Sequence, residues 1–354
     1  MDGVAQAIPA AGDPVEVLPG VWRVEASMSA VSDGITTNAY LVQGCGESVM
    51  VDTAWWVGVD SAHVDALVQR AEDAEAPVSR VFLTHAHRDH SGFAEYLSER
   101  GDEPLPVSLH RAEQPTVAAM YDFQGLPDRD AAVRWYCGFG FPLVEAASIV
   151  DTKAPDHPLA ARAFHWCENG EVLVVGGRRL RVVPTPGHTP GHAALFDEDA
   201  GILFSGDAML PRGNGNPHVT VRPFTAPDPL TDYVDGLRAL RDLEIRVCLP
   251  GHGAPVREVD ALIQSHLDYA DAKLVPVREA LCDEPLTVFE IAGRIPWRGG
   301  RKRFADLVND EWFLAFGDTL ARVRRAVTLG WADEVLRDDG VPSYRASSRR
   351  TLQH

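Results

Sequence analysis

The sequence predicts an α/β (α+β) protein built as an αββα sandwich, with a small winged-helix-like region at its C-terminal end. Three observations carry this. Short β-type runs and an amphipathic helix alternate in the first third of the chain, and the same order returns between residues 172 and 249. Beyond residue 286, helical patterns give way to a hairpin pattern. At 354 residues the chain exceeds what one core usually holds. The division expected is a loose leader over 1–14, a main domain over 15–260 with an insertion at 115–168, and a helical linker with the winged-helix-like domain over 261–354.

In order, glycines separate β-type runs at Val21 to Glu25, Thr37 to Val42 and Ser48 to Asp52. Asp60 to Ala74 places Val64, Leu67, Val68 and Ala71 at helical spacing, and Pro77 closes it ahead of a strand at Arg80 to Thr84. Strands follow at Val172 to Val175, Leu180 to Val183, Ala193 to Phe196 and Ile202 to Phe204, then a helix at Leu230 to Leu243 and a strand at Val247 to Leu249. A helical stretch from Val256 to Leu281 is expected to break at Pro276. Helices at Thr287 to Ile295 and Thr319 to Leu329 precede a hairpin from Trp331 to Tyr344, turning at Asp339-Gly340. The aromatics of the insertion, among them Trp135, Tyr136, Phe139, Phe141, Phe164 and Trp166, suit a pocket roof or buried packing.

Lys and Arg number 33 against 51 Asp and Glu, a net charge of -18 that disfavours nucleic acid and anionic membrane as partners. The exception is residues 286–354, where 12 basic residues meet 9 acidic ones. No signal-peptide pattern or bilayer-length apolar stretch stands out, so a cytoplasmic protein without membrane contact is expected. Five widely spaced cysteines without a CxxC pair read as reduced and mostly buried.

The chemistry concentrates in Thr84 to Gly92, THAHRDHSG, where an apolar strand ends. His85, His87, Asp89 and His90 put four metal-ligand types on one turn, with imidazole suited to zinc-like ions. Residue frequencies give such a pattern in roughly one chain per thousand. His188 in PTPGHTPGH, Asp207 in SGD and His252 in PGHG also follow strands and stand beside glycines, which permit tight turns and close backbone approach.

On these residues the chain resembles the metallo-β-lactamase-fold (glyoxalase II-like) metallohydrolase superfamily over about residues 15 to 260, with Asp52 completing five motifs. The resemblance implies two zinc ions per chain, with iron or manganese as substitutes. His85, His87 and His188 would hold one, Asp89, His90 and His252 the other, and Asp207 would join them. It further implies a metal-bridging hydroxide as nucleophile, with Asp89 as the catalytic residue beside it, Asp52 supporting the turn, and His192 structural.

The presence of Asp207 and the absence of an export signal set the chain apart from the secreted lactamases. His87 stands where flavodiiron proteins carry glutamate. What remains is an ester-type hydrolase of small molecules, with thioester or lactone favoured. A metal-dependent phosphodiesterase and a DNA-binding regulator with a vestigial site are the alternatives. The C-terminal region resembles the extension on family members that act on acyl substrates, and it suits a homodimer contact. Arg322, Arg324 and Arg325 there read as a solvated helix face rather than a phosphate contact. Trp55, Trp56, Tyr121 and His218 are the candidate substrate contacts, with Met120 to Phe123 opening the insertion, while His110 and His165 are treated as lone histidines.

Overall fold

A computed structural model describes residues 13–28, 36–55, 61–119, 126–151, 159, 164–211, 218–223, 225, 227–297, 299–307 and 310–348. Most of the expected leader, together with Met120 to Phe123, Tyr121 included, and Trp56, lies outside them.

Among the described residues the first half forms a seven-stranded sheet in sequential order. Strands β1 (Val15–Leu18), β2 (Val21–Ser27), β3 (Thr36–Gln43) and β4 (Ser48–Val51) are an antiparallel meander. Helix α1 (Ala62–Asp73) crosses to β5 (Val78–Phe82), which runs parallel to β4. The short helices α2 (Arg88–Ser91) and α3 (Ala94–Ser98) lead to β6 (Val107–His110). Helices α4 (Gln114–Ala119), α5 (Arg129–Cys137) and α6 (Leu143–Val150) then precede β7 (His165–Cys167), parallel to β6.

A second sheet holds β8 (Val172–Val175), β9 (Arg178–Pro184), β10 (Ala193–Asp197) and β11 (Ile202–Gly206), all antiparallel. Helix α7 (Pro229–Leu240) returns the chain to β12 (Val247–Pro250), parallel to β11. Side-chain alternation along the strands explains the layers. Tyr40, Val42, Val49 and Val51 meet Val182, Leu195, Phe204 and Leu249 between the sheets. Their neighbours Leu41 and Met50 face outward onto α1 and α3, and Phe196, Leu203 and Cys248 face outward onto α7. The result is the αββα sandwich.

Helix α8 (Val259–Ala280) runs unbroken through Pro276, contrary to the expected break. Leu274 and Val277 on either side continue its buried stripe, and their packing offsets the hydrogen bond that proline removes. After it come β13 (Leu286–Thr287), α9 (Val288–Arg294), α10 (Asp310–Thr328), β14 (Ala332–Leu336) and β15 (Pro342–Ala346). The last two form the expected hairpin, and β13 adds to β15 as the third strand of a small sheet. Helix α10 begins nine residues earlier than its sequence pattern suggests, because Phe313 and Phe316 extend its apolar face.

These C-terminal elements share one core with α5, α7 and α8. The insertion's aromatics go there: Phe316 of α10 meets Phe141 at 4.9 Å and Tyr136 at 5.8 Å between ring centroids. Phe164 and Trp166 pack instead on the outer face of the first sheet. The solvated arginine face is overturned. Arg322 and Arg325 are 3% and 6% exposed, Arg322 pairs with Asp318, and Arg325 donates to Thr231 Oγ1 at 2.8 Å. Arg324 donates to the Pro227 carbonyl at 2.7 Å, so the basic run fastens α10 to the start of α7. The cysteines are free, yet only Cys167 and Cys248 are buried. Among the described residues no helix is long and apolar enough to cross a membrane.

Candidate metal centre

Every candidate ligand leaves the end of a strand or the loop just after one. Asp52, immediately past β4, anchors the arrangement from a left-handed backbone (φ 57°) that aspartate tolerates better than most residues. Its buried carboxylate accepts from Thr84 N at 2.8 Å, from Thr84 Oγ1 at 2.9 Å and from His90 Nδ1 at 2.8 Å. With its own proton given to Asp52, Thr84 Oγ1 accepts from His85 Nδ1 at 3.1 Å. One carboxylate therefore orients two imidazoles.

The same lock recurs. His188 Nδ1 donates to the His218 carbonyl at 3.0 Å and His252 Nδ1 to the Thr36 carbonyl at 2.6 Å. In His85, His90, His188 and His252 the Nδ1 proton is thus spent on a protein oxygen, which fixes the ring orientation and turns Nε2 toward the centre. His87 is the reverse, with Nδ1 facing His188 Nε2 at 2.8 Å. Asp207 Oδ2 lies 3.5 Å from His188 Nε2, while Oδ1 lies 3.3 Å from His90 Nε2 and 3.4 Å from His252 Nε2. Asp89 Oδ2 approaches His252 Nε2 at 3.4 Å and, with a side chain 21% exposed against 10% for Asp207, is the more open of the two carboxylates.

These atoms fall into three overlapping groups, His85 with His87 and His188, His85 with His90 and Asp207, and Asp89 with His90 and His252. Within each group the ligand atoms lie within 4.8 Å of one another. Two glycines make room: a Cβ on Gly251 would stand 2.5 Å from His90 Cε1 and 2.7 Å from Asp207 Oδ1, and one on Gly206 would meet Thr84 Oγ1 at 2.5 Å. His192 is not a donor to the centre, since its Nε2 accepts from Asp207 N at 3.0 Å and its Nδ1 donates to Thr185 Oγ1 at 2.7 Å.

Electrostatics divides the centre. Burial holds His85 and His87 well below the usual imidazole range and lowers His188 to about 4, so three nitrogen lone pairs are available at neutral pH. Burial also opposes charge on His90 and His252, but the carboxylates overcome it, Asp207 foremost, and His252 rises to about 10. Among the described residues, the buried atoms His85 Nε2, His90 Nε2 and Asp207 Oδ1 have no hydrogen-bond partner. Unpartnered buried nitrogens and a carboxylate oxygen gathered at one place are what a cation would satisfy, taking the place of the protons that the carboxylates otherwise hold on His90 and His252, so the donor set fits a metal.

A sequence profile of the metallo-beta-lactamase superfamily matches residues 33–252. The chain belongs to the metallo-beta-lactamase superfamily. Among its relatives is a probable metallo-hydrolase of Bacillus subtilis, YqjP, 26% identical over 72% of this chain and 78% of its own length. The human protein named acyl-coenzyme A thioesterase MBLAC2 is 29% identical over 62% of this chain and 74% of its own. A superfamily protein of Thermus thermophilus superposes with a TM-score of 0.70 at 26% identity, covering 93% of this chain and 99% of that one. A Burkholderia ambifaria protein gives 0.73 at 26% identity over 97% and 98%, so both likenesses extend through the C-terminal region.

Within this superfamily member, one buried group escaped the sequence analysis. Glu113, fully buried, accepts from Ala86 N at 3.0 Å, from Thr189 Oγ1 at 2.8 Å and from Gly191 N at 2.8 Å. It ties the loop of His85 and His87 to the loop of His188. No local pattern marks it; only Gly191, where a Cβ would lie 2.0 Å from Glu113 N, hints that something packs there. Burial pushes its pKa from 4.5 up to about 7 against the three donors. Between those values the native state holds a proton that the unfolded chain has lost, so Glu113's contribution to stability falls as pH rises from 4.5 to about 7. Glu113→Gln should lower stability by about 1–3 kcal/mol. Denaturant titrations of both proteins across that window should show the wild-type advantage shrinking toward pH 7.

Of the candidate substrate contacts, Trp55 is 9% exposed and Trp56 and Tyr121 lie outside the described residues. His218 contributes its backbone carbonyl to His188, while its side chain is exposed. His165 is grouped with Cys167 and Glu171, but its Nε2 is already hydrogen-bonded to Glu171 at 2.7 Å and burial pushes the Cys167 thiol up to about 12.

Proposed function

We propose that this protein is a dinuclear zinc hydrolase that cleaves an ester-type bond in a small molecule, with thioester or lactone as the preferred class. The observation that carries the reading is the set of four imidazoles locked through Nδ1 with Nε2 turned inward, gathered around a carboxylate whose two oxygens face opposite halves of the centre. The relatives named as an acyl-coenzyme A thioesterase and an atrochrysone carboxyl ACP thioesterase support thioester over other esters.

His85, His87 and His188 would hold one ion, Asp89, His90 and His252 the second, and Asp207 both. Zinc suits this nitrogen and oxygen set, and iron or manganese would also be accepted. Ions bound there supply Lewis-acid polarisation of the scissile carbonyl and lower the pKa of water toward neutrality. The protein's own part is to fix the ligands and to handle the proton. Asp89, the most open carboxylate, holds the proton released by the attacking water and passes it toward the leaving group. His192, through its bond from Asp207 N, keeps that carboxylate aimed at both halves. The five unpaired cysteines support a cytoplasmic setting. We assign residues 261–354 to a helical linker and a winged-helix-like domain whose basic helix serves packing, since Arg322, Arg324 and Arg325 are all engaged within the chain.

The test is thiol release from a panel of acyl thioesters by protein of measured metal content. Two metals per chain and chelator-sensitive release, restored by added zinc, are expected. Release that persists after both ions are removed overturns the metal-dependent reading, and no release from the two-metal protein overturns the thioester preference in favour of lactones.

A further inference from the structure

Arg222 stands between the metal centre and helix α10, and nothing in the proposed chemistry uses it. The segment that carries it is held at both ends. The His218 carbonyl takes the His188 Nδ1 proton, and Val221 N donates to the Gly317 carbonyl of α10 at 3.0 Å. The backbone of Arg222 is itself closed by Thr225, whose Oγ1 accepts from Arg222 N at 2.9 Å and donates to Arg222 O at 3.0 Å.

The guanidinium packs over a ring of α10, with Cζ 4.3 Å from the centroid of Phe313, and Nε donates to Thr220 Oγ1 at 3.3 Å. Among the described residues no carboxylate pairs with it. Other arginines of this acidic chain find one: Arg178 takes Asp197, Arg129 takes Asp151 and Arg322 takes Asp318. A half-buried guanidinium four residues from the carbonyl that holds His188, with no carboxylate among the described residues on its terminal nitrogens, has lost part of its solvation without an ion pair to offset it. An oxyanion on the ligand would restore it through a forked, charge-assisted pair.

We propose that Arg222, on its Phe313 platform, is the subsite for an anionic group of the substrate: a carboxylate carried by the acyl part or a phosphate carried by the leaving thiol. The inference rests on the ester-hydrolase reading and adds a substrate class to it. It also gives the C-terminal region a part in recognition, because α10 supplies the surface on which the guanidinium is held.

The experiment compares zinc-loaded wild type with Arg222→Gln and Phe313→Leu. Three substrates separate the sources: the butyryl and glutaryl thioesters of N-acetylcysteamine, which differ by a carboxylate, and butyryl-coenzyme A, which adds phosphate on the thiol side. Wild type should prefer one anionic substrate in kcat/KM. Arg222→Gln should shrink that preference by on the order of 10- to 100-fold, chiefly through KM, with metal content unchanged. Phe313→Leu should shrink it in part, and this variant carries the test if Arg222→Gln fails to load metal. A preference that is absent in wild type, or unchanged in both arms, overturns the subsite. If wild type cleaves none of the three, the thioester reading fails while the subsite remains testable. Calorimetric binding of glutarate and of inorganic phosphate should then be present in wild type and lost in Arg222→Gln, and absent or equal binding overturns it.

Discussion

Replacing Asp207 by alanine is expected to abolish hydrolysis, with kcat/KM falling on the order of 10^3- to 10^4-fold, the scale on which removal of one member disables a catalytic constellation. The size follows from position. Asp207 lies within 3.5 Å of His188, His90 and His252, so its loss removes the only carboxylate among the described ligands that faces both halves of the centre. His85→Ala should do comparable damage, because His85 belongs to two of the three ligand groups. Metal analysis of both variants should find fewer than two ions per chain while circular dichroism retains the wild-type spectrum, since the layers are held by apolar cores distant from these groups. Full activity in either variant would falsify the assignment of the centre.

The second large effect is expected at Asp52, which touches no candidate ion. Asp52→Asn keeps the shape and suits the left-handed backbone at φ 57°. Yet an amide that accepts from Thr84 N must turn its NH2 toward His90 Nδ1, setting donor against donor where the carboxylate accepted both. His90 must then change tautomer or rotate, and His85 loses the support relayed through Thr84. Metal affinity should fall about 10- to 100-fold, the range for groups that orient ligands without binding the ion. Asp52→Ala adds unsatisfied buried donors and backbone strain, so it should also cost about 3–5 kcal/mol of stability. Zinc titration with a competing chelator and thermal melts read the two effects separately. Equal zinc affinity in Asp52→Asn and wild type would show that the lock on His90 does not matter.

The residues of the centre were legible in the sequence because their chemistry forces local signatures. Imidazoles at alternate positions after a strand, and glycines where a Cβ would strike His90 or Thr84, leave marks within a few residues of one another. Short apolar runs bounded by glycines, with helices on one side and the same order repeated in the second half, made the sandwich legible, and these runs are continuous because β3, β4, β10 and β11 are buried on both faces. What escaped were groups whose role depends on contacts distant in sequence. Glu113 reaches residues 86, 189 and 191 from a segment with no pattern of its own. Arg322 and Arg325 read as a solvated run because charge spacing says nothing about a helix that will later be covered. Pro276 sits in a helix whose flanking apolar stripe outweighs the local rule. Long-range packing decided each of these cases.

The carboxylate of Asp228 shows what such packing does to the molecule as a whole. It caps α7 by accepting from Thr231 N at 3.0 Å, and it also accepts from Thr328 Oγ1 at 2.6 Å, across 100 positions of chain. Together with the shared apolar core, this joint makes the C-terminal helices part of the cooperative unit that carries His252. Melting should therefore appear as one calorimetric transition, with van't Hoff and calorimetric enthalpies in agreement. A chain cut after α8 would lose the hydrolase rather than merely an appendage.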